Sequence, residues 1–197
     1  PYALSRGQVN LGLAVDVERK DGSRSLMVPV VKNADALGFK GFRDAYDDLV
    51  KRTRSGDLSP DELRGASITL TNPGGLGTVS SVPRLMALQG TIVATGSIAF
   101  PVGFGKADKQ ALSQLGVEKV MTMTSTYDHR VIQGAESGGF LASIDALLEG
   151  GDEFYSEIRQ SLGLAPAVPV PAAAPAPVAA SAPAVPTPSA PGSSGAP

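Results

Sequence analysis

Several residue types that usually carry protein chemistry are scarce or missing in this 197-residue sequence. It contains no cysteine, which excludes disulfide bonds and thiolate metal sites, so any thiol in its chemistry must belong to a substrate. Seventeen basic residues are interspersed with 19 acidic ones, for a formal net charge of −2. A basic stripe, the usual mark of proteins that bind nucleic acid or anionic membranes, is therefore missing. We predict no nucleic-acid partner, no membrane partner and no metal site.

Long apolar runs are also lacking. No stretch reaches the roughly 20 apolar residues that a membrane-spanning helix needs, and no signal peptide is visible at the start. These features predict a cytoplasmic protein. The sequence begins with Pro1 rather than methionine, so we expect it to be a piece of a longer polypeptide.

The composition changes abruptly near the end of the chain. With 42% hydrophobic residues overall, the sequence can bury one core. Ten of the 16 prolines, however, lie in residues 166–197, among alanine, valine and serine and without any charge. Such a segment cannot form a core and is typical of an extended linker or a disordered tail. We therefore divide the chain into a folded part, residues 1–162, and an Ala/Pro-rich linker or tail, residues 163–197.

The folded part alternates between two hydrophobic periods. Residues 8–17 alternate apolar and polar side chains, which predicts a strand, and residues 25–31 are predicted to return as the second strand of a hairpin. Pro29 lies inside that second run and indicates an edge strand or a break, because proline has no N–H to donate. Further strands are predicted over residues 66–72, 91–100 and 119–127.

Helical spacing appears between these strands. Residues 35–54 place apolar side chains on one face of a helix, and Gly56 follows as its end. Ser59 and Glu62 form a capping box that predicts a short helical turn. Further helical segments are predicted at 106–115, from Gly134 to 148, and over 152–162. Strands alternating with amphipathic helices predict an α/β fold.

A glycine-rich loop, residues 73–77, follows the strand at 66–72. Glycine-rich loops can bind phosphate groups, but this one lacks the Gly-Lys-Ser/Thr ending of a P-loop and the spacing of a dinucleotide fingerprint. We favour a tight, closely packed turn over direct contact with a nucleotide.

The single histidine of the sequence, His129, follows the strand at 119–127 and precedes a helix start marked by Gly134. Histidine titrates near neutral pH, which makes it the natural general base. A lone histidine is nevertheless more often a packed or surface residue, so its position alone leaves both interpretations open. Asp128 and Arg130 flank it and are interpreted as structural ion-pair partners rather than catalysts.

The residues around His129 carry more information than the histidine alone. Residues 127–135 read Tyr-Asp-His-Arg-Val-Ile-Gln-Gly-Ala. This run resembles the active-site signature of the 2-oxo acid dehydrogenase acyltransferases, the dihydrolipoyl acyltransferase components with a chloramphenicol acetyltransferase-like fold. Residues 9–15, 26–31 and 67–72 are similar to strand motifs of the same family. One departure is Gln133, where the family usually has aspartate and sometimes asparagine.

Three details are similar to one branch of that family, the acyltransferase-like domain of the actinobacterial multifunctional 2-oxoglutarate dehydrogenase/decarboxylases. They are the run 71–79, the glutamine at position 133 and the run 153–158. The resemblance implies a mixed, largely antiparallel sheet with helices on one face. It also implies that the domain is incomplete at its N-terminal side, because the family's opening section would lie before Pro1.

The resemblance implies a reaction as well. An acyl group, succinyl in this branch, would move between dihydrolipoamide and coenzyme A within a 2-oxoglutarate dehydrogenase complex of the tricarboxylic acid cycle. His129 would act as the general base and Thr71 as the donor to the oxyanion, whereas without the resemblance Thr71 is an ordinary strand residue. Gln133 would keep the local geometry of the aspartate but not its charge.

The implied partners follow from the same resemblance. The family forms homotrimers whose active sites are shared between neighbouring subunits, and the lipoamide is carried by a partner or another domain. Thiamine diphosphate and magnesium would be needed only if a fused decarboxylase part is present. The sequence does not identify the residues that contact coenzyme A.

Two alternatives stay open at this point. The chain could be a trimer-forming scaffold that docks a thiamine-dependent 2-oxoglutarate decarboxylase, with weak or no transferase activity, which Gln133 would favour. The enzyme could also use another acyl group, such as acetyl.

Overall fold

The computed structural model describes residues 7–19 and 21–165, so the predicted tail lies outside the described residues from position 166 onward. The strands are β1 (Leu11–Leu13), β2 (Val15–Glu18), β3 (Arg24–Met27), β4 (Val30–Val31), β5 (Ile68–Thr71), β6 (Thr91–Thr95) and β7 (Met123–Tyr127). The α-helices are α1 (Phe39–Ser55), α2 (Lys109–Gln114), α3 (Gly134–Leu148) and α4 (Phe154–Ser161). Short 3-10 helices occupy Ala34–Ala36, Pro60–Leu63, Pro73–Leu76 and Gly151–Glu153.

Five strands form one mixed sheet in the order β4-β1-β5-β6-β7, and β2 pairs with β3 in a separate antiparallel hairpin. The mixed sheet was predicted, but its largely antiparallel character is wrong at the centre. There β1, β5 and β6 run parallel, while β4 and β7 pair antiparallel at the two edges. Parallel neighbours need long return connections. The connection from β1 to β5 is residues 14–67, which include α1, and the connection from β5 to β6 is residues 72–90.

The strand predicted over residues 8–17 is divided at Ala14. Its N–H donates to the carbonyl oxygen of Leu70 at 2.9 Å, and beyond it the chain leaves the large sheet to form the hairpin. The partner run is interrupted at Pro29, which confirms the break predicted there. The Pro29 carbonyl still accepts from the N–H of Leu13 at 2.9 Å, so only the missing donor of the proline interrupts the ladder.

The helix predicted over residues 35–54 begins later, at Phe39, because Ala34–Ala36 forms its own 3-10 turn. Its predicted end is confirmed, since Gly56 has a φ of 84° and caps the last turn. The predicted capping box is confirmed too: the N–H of Ser59 donates to the Glu62 carboxylate at 2.9 Å. The main apolar core forms where α1 meets the sheet and hairpin, with Leu13, Val15, Val31 and Leu49 buried.

Both long helices cover the same face of the sheet. The strand register aligns Leu13, Leu70, Val93 and Ser125 in one row, so their side chains point to one side. Leu49 of α1 packs at the Leu13 end of this row. At the other end, α3 reaches the row through a hydrogen bond between the Ser137 and Ser125 hydroxyls. The prediction of helices on one face is confirmed.

An irregular segment, residues 78–89, covers the opposite face. Three threonines hold it: the hydroxyl of Thr69 donates to the Gln89 amide oxygen at 2.7 Å, that of Thr126 to the Pro83 carbonyl at 2.7 Å, and that of Thr124 to the Ser81 carbonyl. The segment therefore needs no regular structure of its own to stay attached to the sheet.

The glycine-rich loop is the tight, closely packed turn that the sequence predicted. Asn72 caps it, because its side-chain oxygen accepts from the N–H of Gly74 at 3.0 Å, and Gly77 closes it with a φ of 85°. The loop lies so close to the end of β6 that a Cβ on Gly74 would overlap the backbone of Gly96, and a Cβ on Gly96 would overlap the carbonyl of Val79.

Of the helices within 7–19 and 21–165, none has the length and apolar character to cross a membrane.

We expect Gly96→Ala to destabilise the fold by about 3 kcal/mol, because the new methyl group meets backbone atoms that cannot rotate away. Gly75→Ala is the matched control, since a Cβ there has no atom within 4 Å. Urea unfolding of both variants and the wild type measures the difference. Equal midpoints for the two variants would show that Val79, just after the loop, is not closely packed against the end of β6.

Candidate active site

His129 lies in the turn that joins β7 to α3, and its side chain is exposed. The preceding residue, Asp128, starts this turn. Its N–H donates to the Gly90 carbonyl at 2.9 Å, and its own carbonyl accepts from the N–H groups of Val131 and Ile132, both at 3.0 Å. The backbone is thereby held on both sides of His129, by Gly90 just before β6 on one side and by Val131 and Ile132 of the turn on the other.

Asp128 and Arg130 form an ion pair that closes around the histidine, as predicted from the sequence. The Arg130 guanidinium contacts the Asp128 carboxylate through Nε at 2.9 Å and through Nη2 at 2.6 Å. The backbone N–H of Arg130 donates to the same carboxylate at 3.0 Å. Hydrogen bonds from the Arg130 side chain and then from its backbone lower the pKa of Asp128 to about 2. The carboxylate is therefore ionised at any physiological pH.

The ring of Tyr127 packs beside the imidazole, with 5.5 Å between the ring centroids and 53° between the planes. Tyr127 is the last residue of β7 and pairs with Thr91 of β6, so the sheet sets its position. Its hydroxyl approaches the first residue of α3, Gly134, where a Cβ would lie 3.4 Å from the oxygen. The Gly at this position leaves room for the tyrosine that supports the histidine.

Gln133 is the N-cap residue of α3 and is exposed. Its backbone N–H donates to the Glu136 carboxylate at 2.6 Å, and its carbonyl accepts from the N–H of Ser137 at 3.0 Å. Within the described ranges, no hydrogen bond joins its side chain to the His129 ring. The residue therefore fixes the start of the helix rather than the imidazole.

Thr71 ends β5 at the opposite end of the strands from His129. It pairs with Ala94, which pairs with Thr124, whereas His129 follows Tyr127 at the far end of β7. Three strand residues at about 3.3 Å and two strand spacings of about 4.8 Å separate Thr71 from Tyr127 by roughly 14 Å. The structure thus does not bring Thr71 and His129 together within one chain.

A cavity of about 270 Å³ lies between α3 and the sheet, behind the histidine turn. Neither this cavity nor the Ser125–Ser137 hydrogen bond near it was predicted from the sequence. A serine in an apolar helix resembles a solvent-facing residue, and only the register of β7 shows that Ser137 meets the sheet. The cavity is lined by Ile68, Thr91, Val131, Ile132, Glu136, Ser137 and Phe140.

Over residues 7–19 and 21–165, no group of three or more histidine, aspartate or glutamate side chains is placed to hold a metal ion. The titratable groups at the candidate site are Tyr127, His129, the Asp128–Arg130 pair and Glu136.

Comparison with known proteins defines the class. The family profile of the 2-oxoacid dehydrogenases acyltransferase (catalytic domain) matches residues 3–155. The chain belongs to this family, as the run 127–135 predicted, and it has the acyltransferase catalytic-domain fold.

Two curated relatives have names that specify 2-oxoglutarate metabolism, which the family name does not. The chain is 51% identical over 164 residues to a multifunctional 2-oxoglutarate metabolism enzyme of Mycolicibacterium vanbaalenii, and 48% identical to the enzyme of that name from a Mycobacterium species, strain JLS. The alignment covers 83% of this chain but only 13% of each relative. The chain is therefore similar to one part of a much longer protein.

Solved structures of the same family share the fold. The dihydrolipoamide acetyltransferase of Azotobacter vinelandii has a TM-score of 0.57 at 30% identity, over 80% of this chain and 57% of that one. A probable dihydrolipoamide acetyltransferase of Listeria monocytogenes has a TM-score of 0.59 at 26% identity, over 74% of this chain and 58% of that one.

The Asp128–Arg130 pair gives a prediction on pH and stability. Because the folded-state pKa of Asp128 is below its ordinary value of 3.8, the ionised carboxylate stabilises the fold above pH 3.8, and this contribution is lost as the pH falls toward about 2. We expect Asp128→Asn to lower the urea midpoint near neutral pH, and the difference from the wild type to shrink below pH 3.8.

The matched control is Asp47→Asn, an exposed aspartate of α1 for which the described part of the chain shows no ion pair. It should leave the midpoint nearly unchanged. A deficit of Asp128→Asn that stays constant down to pH 2 would contradict the assignment.

Proposed function

We propose that the chain is the acyl-transferring part of a 2-oxoglutarate dehydrogenase system and moves a succinyl group between dihydrolipoamide and coenzyme A. The observation that carries this proposal is the exposed His129 between β7 and α3, within the signature run of an acyltransferase family. The relatives named for 2-oxoglutarate metabolism support succinyl rather than acetyl as the acyl group, since 2-oxoglutarate yields a four-carbon acyl unit after decarboxylation.

The proposed reaction exchanges one thioester for another. The His129 imidazole takes the S–H proton of coenzyme A while the sulfur attacks the thioester carbonyl, which forms a carbon–sulfur bond and a tetrahedral oxyanion. Collapse of this intermediate breaks the bond to the lipoyl sulfur. That sulfur leaves with the proton now held by the imidazolium, so the histidine returns to its starting state.

The oxyanion needs a hydrogen-bond donor, and Thr71 is the proposed one. Its hydroxyl is half-buried at the end of β5, next to the turn that Asn72 caps. In the Azotobacter vinelandii relative, a serine, a histidine and an asparagine were studied for their role in catalysis, the last two being four positions apart. His129 and Gln133 have the same spacing, and Thr71 carries a hydroxyl like that serine.

A complete site requires a second subunit on this proposal. Since Thr71 and His129 lie at opposite ends of the strands, they can meet only where the Thr71 end of one chain contacts the His129 end of another. Such a contact joins two different surfaces and closes into a ring, and we propose a homotrimer. Exposed apolar side chains at both ends support assembly there: Leu76 and Ile98 near Thr71, and Val131 near His129.

The partners in this system would be a thiamine-dependent decarboxylase and a lipoyl-bearing component, with thiamine diphosphate and magnesium belonging to the decarboxylase. Because 2-oxoglutarate is a metabolite of the bacterial cytoplasm, that location is part of the proposal.

Gln133 favours a second candidate, a docking scaffold with weak transferase activity. Its neutral side chain supplies no charge to the histidine.

The first test follows the formation of coenzyme A and S-succinyl-dihydrolipoamide, separated by chromatography, after succinyl-coenzyme A is mixed with dihydrolipoamide; total free thiol does not change in this exchange. We expect His129→Ala to lower kcat/KM by about 10²–10⁴, and Thr71→Ala by about 10²–10³, because each removes one catalytic group. Thr78→Ala is the control for a threonine outside the proposed site. Equal rates for the wild type and His129→Ala would reject the proposed function and leave the scaffold.

A mixing experiment tests the shared site. After His129→Ala and Thr71→Ala chains are unfolded together and refolded as a mixture, each interface takes its histidine and its threonine from different chains. Random assembly then restores about one quarter of the wild-type activity, from one half multiplied by one half. No recovery above the separately refolded variants would show that both groups act within one chain.

A further inference from the structure

The residue four positions after the histidine does not hold the imidazole in this chain. Gln133 is exposed, and its contacts are directed toward the first turn of α3, at Glu136 and Ser137. Its side chain is neutral, so it supplies neither a bond nor a charge that orients His129. The histidine turn must be stabilised by other residues if the ring is to be presented in one orientation.

The structure assigns this task to the preceding residue: we propose that Asp128, locked to Arg130, is the positioning residue for His129. This inference rests on the proposed function for its catalytic consequence, but not for its structural one. Asp128 makes contacts on both sides of the histidine, backward to Gly90 and forward to Val131 and Ile132. Among the hydrogen bonds of the described residues, Asp128 is the one turn residue bonded both to the segment just before β6 and to the far side of the turn.

The ion pair closes the turn from outside. The Asp128 side chain is 20% exposed and the Arg130 side chain 88%, so the arginine folds back over the turn to meet a half-buried carboxylate. A two-point contact from the guanidinium fixes both planes, which a single point charge would not do. Because Asp128 and Arg130 are the immediate neighbours of His129, the pair restrains the backbone on either side of it.

The Tyr127 ring provides the remaining restraint. It supports the imidazole from the sheet side, 5.5 Å away, and it moves with β7 rather than with the turn. If Asp128 no longer held the turn, His129 would leave the tyrosine while Tyr127 stayed in place. The separation between the two rings therefore reports the orientation of the histidine.

The distinction between catalysis and positioning is testable because His129 is the only histidine. Its ring protons give a single set of NMR signals, displaced by the ring current of Tyr127. We expect Asp128→Asn and Arg130→Ala each to move these signals toward those of a free histidine, whereas Gln133→Ala leaves them in place. Asp16→Asn, which breaks the exposed Arg24–Asp16 pair of the hairpin, is the matched control and should also change nothing.

The kinetic arm uses the full chain in the succinyl-transfer assay, with coenzyme A and S-succinyl-dihydrolipoamide separated as products. Asp128→Asn and Arg130→Ala keep the histidine base but should lose its orientation, which should lower kcat/KM about 10–100-fold, mainly through kcat. Arg130→Lys should recover part of the activity that Arg130→Ala loses. Arg130→Ala keeps the carboxylate and its bond to the backbone, so it provides the test if Asp128→Asn fails to fold.

The two arms separate the two proposals. Unchanged histidine signals in both Asp128→Asn and Arg130→Ala would overturn the positioning role, whatever the activity. Displaced signals in a chain whose wild type shows no His129-dependent turnover would support the positioning role and reject the acyltransferase proposal. Signals that move equally in Gln133→Ala would also overturn it, because the helix cap would then orient the ring.

Discussion

The antiparallel pairing of β6 with β7 is the constraint on which the candidate site depends. Since β7 runs against β5 and β6, its last residue lies beside the first residues of those strands, and the histidine turn follows at that end. The pairing also decides which side chains meet α3. A slip of one residue would turn Ser125 away from Ser137 and turn Thr124 and Thr126 away from segment 78–89. One register therefore holds both covering layers of the sheet.

The two faces of the sheet are held by different kinds of interaction. Apolar packing of α1 dominates on the helix side, around Leu13 and Leu49. On the other side, threonine hydroxyls of β7 donate hydrogen bonds to backbone carbonyls of the irregular segment 78–89. These carbonyls would otherwise need other hydrogen-bond partners. This division explains why a long stretch without regular structure remains in contact with the strands.

Local sequence signals predicted the elements well and their pairing less well. The capping box at Ser59, the glycine end of α1 and the break at Pro29 each depend on a few neighbouring residues, and each is confirmed. The division at Ala14 and the parallel centre of the sheet depend on Leu70 and on β6, which are distant in sequence, and were missed. Asp128 and Arg130 could be interpreted as a pair because they are adjacent to the same residue, whereas Ser125 and Ser137 could not.

Placing Thr71 and His129 at opposite strand ends has a consequence for a newly synthesised chain. Acyl thioesters are energy-rich, and a half-formed site that bound them could release the acyl group to water. On the proposed mechanism an isolated chain carries a base without its oxyanion donor, and a donor without its base. Assembly would then switch on the chemistry. The acyl thioester would react only where two neighbouring chains already form a complete site.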